Sequence, residues 1–206
     1  MTTLLIHTPE YPAGPSAQTV FGGLPSAPHG RLSWPSCEIC GGNMQFLGQI
    51  HAEEDELLLL FMCQNDPGCC EEGDANEGGN KVLVVGTQDL QLVPAPKQGE
   101  TVRPVRYGSV QVECAEEDYD EARDAWADAS GTSGREILGQ LGGEPGWIQA
   151  DDTPDCDECG EPMQFVAQLE EGPDMETAMN FGSGGSAYVF RCSCSRHSAK
   201  FLWQCD

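Results

Sequence analysis

Short apolar segments, bounded by polar residues, glycine and proline, recur along most of the chain. Such segments are typical of β-strands rather than of long helices. They predict strands over residues 44–50, 57–62, 81–85, 163–169 and 187–191. Residues 4–7, 88–93 and 110–113 follow the pattern more weakly, and we expect short strands there as well.

Residues 116–129 show the period of an α-helix instead. Apolar side chains recur there every three to four positions and would form one buried stripe. The stripe consists of Tyr119, Ala122, Trp126 and Ala129. A short second helix is predicted over residues 135–141, where Gly142 and Gly143 would stop it.

The strand pattern occurs twice. When residues 35–50 are aligned with residues 154–169, eight of sixteen positions are identical, whereas about one is expected by chance. Each copy carries GG-x-P, C-x-x-C, MQF-hydrophobic-x-Q and a later apolar segment that ends in cysteine. The sequence predicts a β-rich α+β fold of two tandem related β-units, 1–95 and 96–206, that form one compact domain with the helix between the repeats.

Two groups of cysteines lie in register with this duplication. A C-x-x-C turn followed by a second cysteine pair suits a tetrahedral metal site with Zn–S distances near ~2.3 Å. We predict two structural zinc ions, held by Cys37, Cys40, Cys63 and Cys69 and by Cys156, Cys159, Cys192 and Cys194. Cys70 is an alternative to Cys69, and His197 or Cys205 is an alternative to Cys194.

Other interpretations of the cysteines are a redox C-x-x-C pair, an iron–sulfur cluster and buried apolar thiols. Gly41 and Gly160 follow the C-x-x-C pairs and a strand comes next, which favours zinc knuckles. A closed four-cysteine site stabilises the fold but activates no water. The four histidines fall in no catalytic motif, so we name no catalytic residues.

The charge of the chain is strongly negative. Asp and Glu number 34 against 10 Lys and Arg, a formal net charge of −24. This argues against binding to nucleic acid or to anionic lipid, and it suits a basic protein or peptide. Because residues 1–10 lack a secretory pattern and no apolar run could span a bilayer, we expect a cytoplasmic protein, in which thiols stay reduced.

Two further residue types repeat with the duplication. Gln45 and Gln49 recur as Gln164 and Gln168, which predicts a repeated hydrogen bond to a turn backbone or, alternatively, a peptide or ligand groove. Trp34 and Trp147 are expected to pack over the first and second copies, or to anchor a protein-binding cleft.

The motifs GGLP…WP-x-C-x-x-C…MQFLGQI and LGGEPGWIQ…P-x-C-x-x-C…MQFVAQL…YVFRC resemble the YwqG-like family of bacterial proteins of unknown function. They are also similar to the zinc-ligand-bearing half-domains of the eukaryotic programmed cell death protein 2 family. The resemblance covers most of the chain and implies a duplicated fold with pseudo-twofold symmetry. The metal candidates it carries over are Cys37, Cys40, Cys63, Cys156, Cys159, Cys192 and Cys194.

The eukaryotic relatives are linked to escorting a basic ribosomal protein, and the bacterial members have been suggested as immunity-type binders. The expected function is therefore a zinc-stabilised acidic protein-interaction module that acts as a chaperone or immunity-type binder of a basic protein. Two alternatives stay open at the level of sequence: an enzyme with hydrolytic or thiol-redox activity, and a protein for metal sensing or storage.

Overall fold

The computed structural model describes residues 2–53, 55–195 and 197–206, and within them it contains twelve strands and one α-helix. The strands are β1 (Thr2–Thr8), β2 (Val20–Phe21), β3 (Ser26–Pro28), β4 (Gln45–Glu53), β5 (Glu56–Met62), β6 (Asn80–Gly86), β7 (Leu90–Leu92), β8 (Tyr107–Cys114), β9 (Ile137–Leu141), β10 (Gln164–Glu170), β11 (Ser186–Arg191) and β12 (Ala199–Gln204). The helix α1 covers Tyr119–Ser130, and one 3₁₀ turn covers Gly134–Glu136. The β-rich fold with one helix confirms that part of the prediction.

Ten of the strands form one antiparallel sheet in the order β12-β11-β10-β9-β1-β8-β2-β4-β5-β6, and β3 pairs separately with β7. The two edge strands β6 and β12 lie close to each other, so the sheet nearly closes into a barrel. Among the described residues no strand pairing joins β6 to β12. We call the line along which these two edges meet the seam.

The two copies occupy opposite halves of this sheet. The run β4-β5-β6 leads to one edge and the run β10-β11-β12 leads to the other. Both copies shift register at the same place, between Phe46 and Gly48 and between Phe165 and Ala167. A rotation that relates the two halves in space stays a prediction.

The middle of the sheet mixes the two segments of the chain. Strand β1 pairs with β9 of the second copy, and β8 pairs with β2 of the first copy. The strands β1 and β8 also pair with each other over their full length, from Thr2 opposite Cys114 to Thr8 opposite Gly108. Strand pairing in the middle of the sheet therefore joins the two halves. The boundary at residues 95 and 96 stays a prediction.

The core fills the barrel and also covers its outer faces. Successive strand residues point to opposite faces, and in β5 every residue is buried. Leu58 and Leu60 belong to the cluster inside the barrel, whereas Leu57 and Phe61 belong to an outer cluster under the first C-x-x-C turn. Strands buried on both faces have continuous apolar runs rather than alternating ones, which explains the uninterrupted apolar sequence of residues 57–62.

A buried ion pair spans the two halves. Arg191 Nη1 lies 3.1 Å from Glu56 Oε2, and the two side chains are 19% and 6% exposed. Glu56 lies on the same strand face as Leu58, and Arg191 lies on the same face as Val189. Leu58 and Val189 both belong to the cluster inside the barrel. The pair therefore joins β5 to β11 inside the barrel.

The predicted helix over residues 116–129 begins later than expected. The side chain of Asp118 accepts hydrogen bonds from the backbone N–H groups of Asp120 and Glu121, each at 3.0 Å, so α1 starts at Tyr119. Tyr119 and Ala122 are buried as predicted, Trp126 is half-buried and Ala129 is exposed. The stripe is thus buried mainly in the first turn, where α1 meets β1.

The predicted second helix over residues 135–141 is wrong. Only Gly134–Glu136 forms a 3₁₀ turn, and Ile137–Leu141 is the strand β9. This segment lies between β1 and β10 and pairs with both. If this segment were a helix, the backbone N–H and C=O groups of β1 and β10 that face it would lose their hydrogen-bond partners. The free energy lost in this way is larger than the gain from helix propensity. The strands β2, β3 and β12 were not predicted at all.

The repeated glutamines confirm the structural interpretation. Gln49 Oε1 accepts a hydrogen bond from Ser26 N at 3.0 Å, and Gln168 Oε1 accepts one from Gly146 N at 2.8 Å. Ser26 and Gly146 each follow the proline of a GG-x-P motif. Gln45, at the start of the same motif, is half-buried. One glutamine per copy thus fixes the same turn to the sheet.

Candidate metal centres

Each C-x-x-C sequence forms a tight turn with the same backbone bonds. Gly41 N donates to Cys37 O at 2.9 Å, and Cys37 N donates to Gly42 O at 2.8 Å. The second copy repeats both bonds from Gly160 and Cys156, at 2.8 and 2.9 Å. Gly41 and Gly160 have φ values of 71° and 74°, a region that favours glycine. The turn therefore depends on the glycine that follows each pair.

The four thiols of the first group lie around a common centre. Cys37, Cys40, Cys63 and Cys70 place their sulfur atoms within 4.8 Å of one another, and the Cys40 and Cys63 sulfurs are 3.6 Å apart. Four Zn–S bonds of ~2.3 Å in a tetrahedron put the sulfurs roughly 3.8 Å apart, whereas a disulfide needs about 2.05 Å. All eleven cysteines are free thiols. The spacing fits one shared ion.

The choice of Cys69 for this group is corrected to Cys70. Cys70 is 2% exposed and belongs to the group, whereas Cys69 is exposed and does not. The buried carboxylate of Glu72 accepts hydrogen bonds from Gly68 N and Cys70 N. This turn directs the Cys70 side chain inwards. Spacing could not separate two adjacent cysteines, and the nearby Glu72 gave no recognised signal.

The second group brings together the four predicted cysteines Cys156, Cys159, Cys192 and Cys194. The Cys156–Cys194, Cys159–Cys192 and Cys192–Cys194 sulfur distances are 3.6, 3.5 and 3.2 Å. The exposed His197 and the half-buried Cys205 are not part of the group. The role of the four cysteines as metal ligands stays a prediction.

Two polar side chains that no sequence pattern pointed to approach the sulfurs. Asn65 Nδ2 lies 3.5 Å from Cys63 Sγ and donates to Asn43 O at 3.0 Å. Ser198 Oγ lies 3.2 Å from Cys156 Sγ. Groups that hydrogen-bond to metal ligands orient them and tune their basicity. Neither residue stands in a spacing that would have revealed it.

The surroundings change the acidity of the thiols. The hydrogen bond from Ser198 lowers the pKa of Cys156 to about 6, because it stabilises the thiolate. Burial raises the pKa of Cys70 well above its usual range. Metals bind thiolates, so loading the first group must release a proton from Cys70.

One tryptophan packs against the apolar cluster beside each cysteine group, as predicted. Trp34 packs edge-on against Phe61 with ring centroids 5.3 Å apart, and its Nε1 donates to Met44 O at 2.8 Å. Trp147 packs on Tyr188 with centroids 4.4 Å apart. Both tryptophans are half-buried, and each packs against the core of its own copy.

Exposed carboxylates are frequent in the chain segments that carry the two groups. Around the second C-x-x-C turn in the sequence they are Asp151, Asp152, Asp155, Asp157, Glu158 and Glu161, and in the segment between Cys63 and β6 they are Asp66, Glu71, Asp74 and Glu77. A cavity of about 330 Å³ lies between the groups at the seam, and its walls include Glu38, Asp157 and Lys200. The negative charge of the chain is thus dense where the candidate metal centres lie.

Comparison with known proteins assigns no family to this fold. No family model matches the chain, and no curated protein matches it significantly. The resemblance to the YwqG-like family therefore stays a prediction. Among the described residues, none of the helical segments has the length and apolar character needed to cross a bilayer.

Proposed function

We propose that this chain is a zinc-stabilised protein-interaction module that holds a basic polypeptide against the acidic face beside its cysteine groups. The observation that supports it is the pairing of two closed four-sulfur groups with a dense set of exposed carboxylates. Four thiolates fill a tetrahedral zinc, so the metal would stabilise structure and leave no open position for a substrate.

Zinc suits these groups better than harder cations do. Soft thiolate ligands in a tetrahedral arrangement favour zinc over oxygen-seeking metals. A reducing compartment keeps such thiols available, so the proposal places the protein in the cytoplasm. The resemblance to the YwqG-like and programmed cell death protein 2 families supports the same function, because it points to immunity-type or escort binding of basic proteins.

The metal part of the proposal is tested on untagged protein purified from its native host. We expect native mass spectrometry to find two zinc ions per chain, and we expect a chelator to lower the melting temperature. A protein that carries no zinc, with eight thiols that titrate readily in the folded state, would overturn this part.

The binding part is tested with a lysine- and arginine-rich peptide and zinc-loaded protein, followed by fluorescence anisotropy at increasing salt. A charged interface gives an association rate and affinity that fall with ionic strength. The key variant carries Asp152→Asn, Asp155→Asn and Glu161→Gln, which removes three exposed charges from the segment that carries the second C-x-x-C turn.

The matched control removes three exposed charges from α1 through Glu121→Gln, Asp124→Asn and Asp128→Asn. We expect the first variant to weaken peptide binding and the control to leave most of it intact. Equal weakening by both variants would show that net charge alone attracts the peptide, and it would refute an acidic binding face at this place.

A further inference from the structure

The segment between Cys63 and β6, residues 64–79, lies against both cysteine groups. The segment carries Cys70, which belongs to the first group. A hydrogen bond from Cys63 N to Gly79 O, at 2.8 Å, holds the end of the segment beside its start. Asn80 Nδ2 donates to Glu72 O and to Asp74 O, each at 2.9 Å. The segment is thus folded around the first group.

The middle of this segment crosses the seam and touches the second half. Gly73 O accepts a hydrogen bond from Trp203 N of β12 at 3.1 Å. Ala75 packs against the apolar cluster that contains Cys156 and Phe190. A segment that is ordered by one cysteine group therefore forms part of the support of the other.

A single ammonium group completes this connection. Lys200 Nζ donates to Asn76 Oδ1 at 2.7 Å, to Asp157 Oδ1 at 2.6 Å and to Asp155 O at 3.0 Å. Asp155 and Asp157 flank Cys156 in the second C-x-x-C turn. The Lys200 side chain is only 10% exposed, although its partners Asn76 and Asp157 are exposed, and it joins the segment to that turn.

The energetic consequence follows from the cost of ordering the segment. Fixing the backbone of one residue costs roughly 1–2 kcal/mol of conformational entropy. A metal at the first group supplies the free energy that orders residues 64–79, and the second group then gains the contacts of Gly73, Ala75 and Asn76 without that cost. Ordering that one ligand provides and another exploits is positive cooperativity.

We propose that the two cysteine groups bind metal cooperatively, and that residues Gly73 to Asn76 together with Lys200 transmit the coupling. The proposal rests on the proposed function only in that both groups must bind zinc. Coupling between sites typically changes an affinity by 5–150-fold, and each site must change the affinity of the other by the same factor.

The first experiment measures the zinc affinity of each group by competition with a chelator, using native mass spectrometry to count bound ions. Cys37→Ser disables the first group, and we expect it to lower the affinity of the second group by roughly 5-fold or more. Cys156→Ser disables the second group and should lower the affinity of the first by the same factor. Unequal factors, or no change, would refute the coupling.

The second experiment keeps all eight cysteines and changes the connection. Asn76→Ala should lower the zinc affinity of the second group, and it should have no effect in the Cys37→Ser background, where the segment is no longer ordered. The neighbouring Glu77→Gln, which changes an exposed residue of the same segment, is the control and should have no effect in either background. An effect of Asn76→Ala that persists in the Cys37→Ser background would show a local role and refute transmission.

Lys200 has a counterpart in the first copy that serves as a further control. Lys81 lies opposite Phe61 of β5, just as Lys200 lies opposite Phe190 of β11, and it is exposed. We expect Lys200→Met to raise the fraction of chains with one zinc at half-saturation and Lys81→Met to leave it unchanged. If wild-type protein binds no zinc, the proposed function fails; if it binds two ions independently, only the coupling fails.

Discussion

Replacing Gln49 by methionine should lower the free energy of unfolding by about 2–5 kcal/mol. Methionine keeps the length of the side chain and removes its amide, so the change isolates the hydrogen bonds from packing. Gln49 is fully buried on β4, accepts from Ser26 N at 3.0 Å and donates to Ser16 O at 2.7 Å and Gln18 O at 3.0 Å. The expected loss of unfolding free energy is the sum of what the three hydrogen-bond partners of Gln49 lose.

The Ser26 N–H group is buried and would be left without an acceptor, which costs roughly 1–3 kcal/mol. The carbonyls of Ser16 and Gln18 are partly accessible to water, so each costs less, about 0.5–1 kcal/mol. For a chain of this length each kcal/mol lowers the melting temperature by about 2–4 °C. The expected drop is therefore roughly 4–20 °C.

Urea unfolding of the zinc-loaded protein measures this change as a lower midpoint with an unchanged m-value. Gln45→Met is the matched control, because Gln45 belongs to the same motif and is only half-buried. Gln168→Met should act like Gln49→Met, since it removes the acceptor of Gly146 N. If Gln45→Met and Gln49→Met shift the midpoint equally, the buried bond to the turn does not provide the stability expected of it.

Three further predictions address the cysteines, the ion pair and the helix contact. Cys70→Ser should leave one zinc per chain and Cys69→Ser should leave two, as counted by native mass spectrometry; loss of zinc on Cys69→Ser would contradict the assignment. Arg191→Met should destabilise the fold by about 3–5 kcal/mol because it removes the ion pair that Arg191 forms with the buried Glu56 carboxylate. The double variant with Glu56→Leu should recover most of that loss in urea unfolding, and a double variant as unstable as the sum of both changes would refute the pairing. Burial raises the pKa of Glu170, which contacts α1, so the folded state favours the protonated form. The stability this provides is present at low pH and is lost as pH rises through the raised pKa. Glu170→Gln should flatten that part of the pH profile of unfolding, and identical slopes for both proteins would count against it.

Local pattern was enough for the elements whose neighbours do not alter their preference. The strands β4, β5, β6, β10 and β11 were predicted within three residues of their ends, because runs of apolar and β-branched residues suit a buried sheet whatever lies beside it. The duplication also placed both C-x-x-C turns, since each turn is closed by its own backbone and its own glycine. Seven of the eight clustered cysteines were predicted, four from the C-x-x-C turns and three from their place after the later apolar segment of each copy.

Only the tertiary structure decided what depends on residues far apart in the chain. Residues 137–141 have a helical pattern, yet they form β9 because β1 and β10 both require a partner there. Cys70 rather than Cys69 joins the first group because Glu72 turns the backbone, and Lys200 connects the two groups because the sheet nearly closes and brings β12 to the segment before β6. The sequence determined the repeated units and their chemistry, whereas the closure of the barrel determined how those units meet, because that closure depends on pairing across the whole chain.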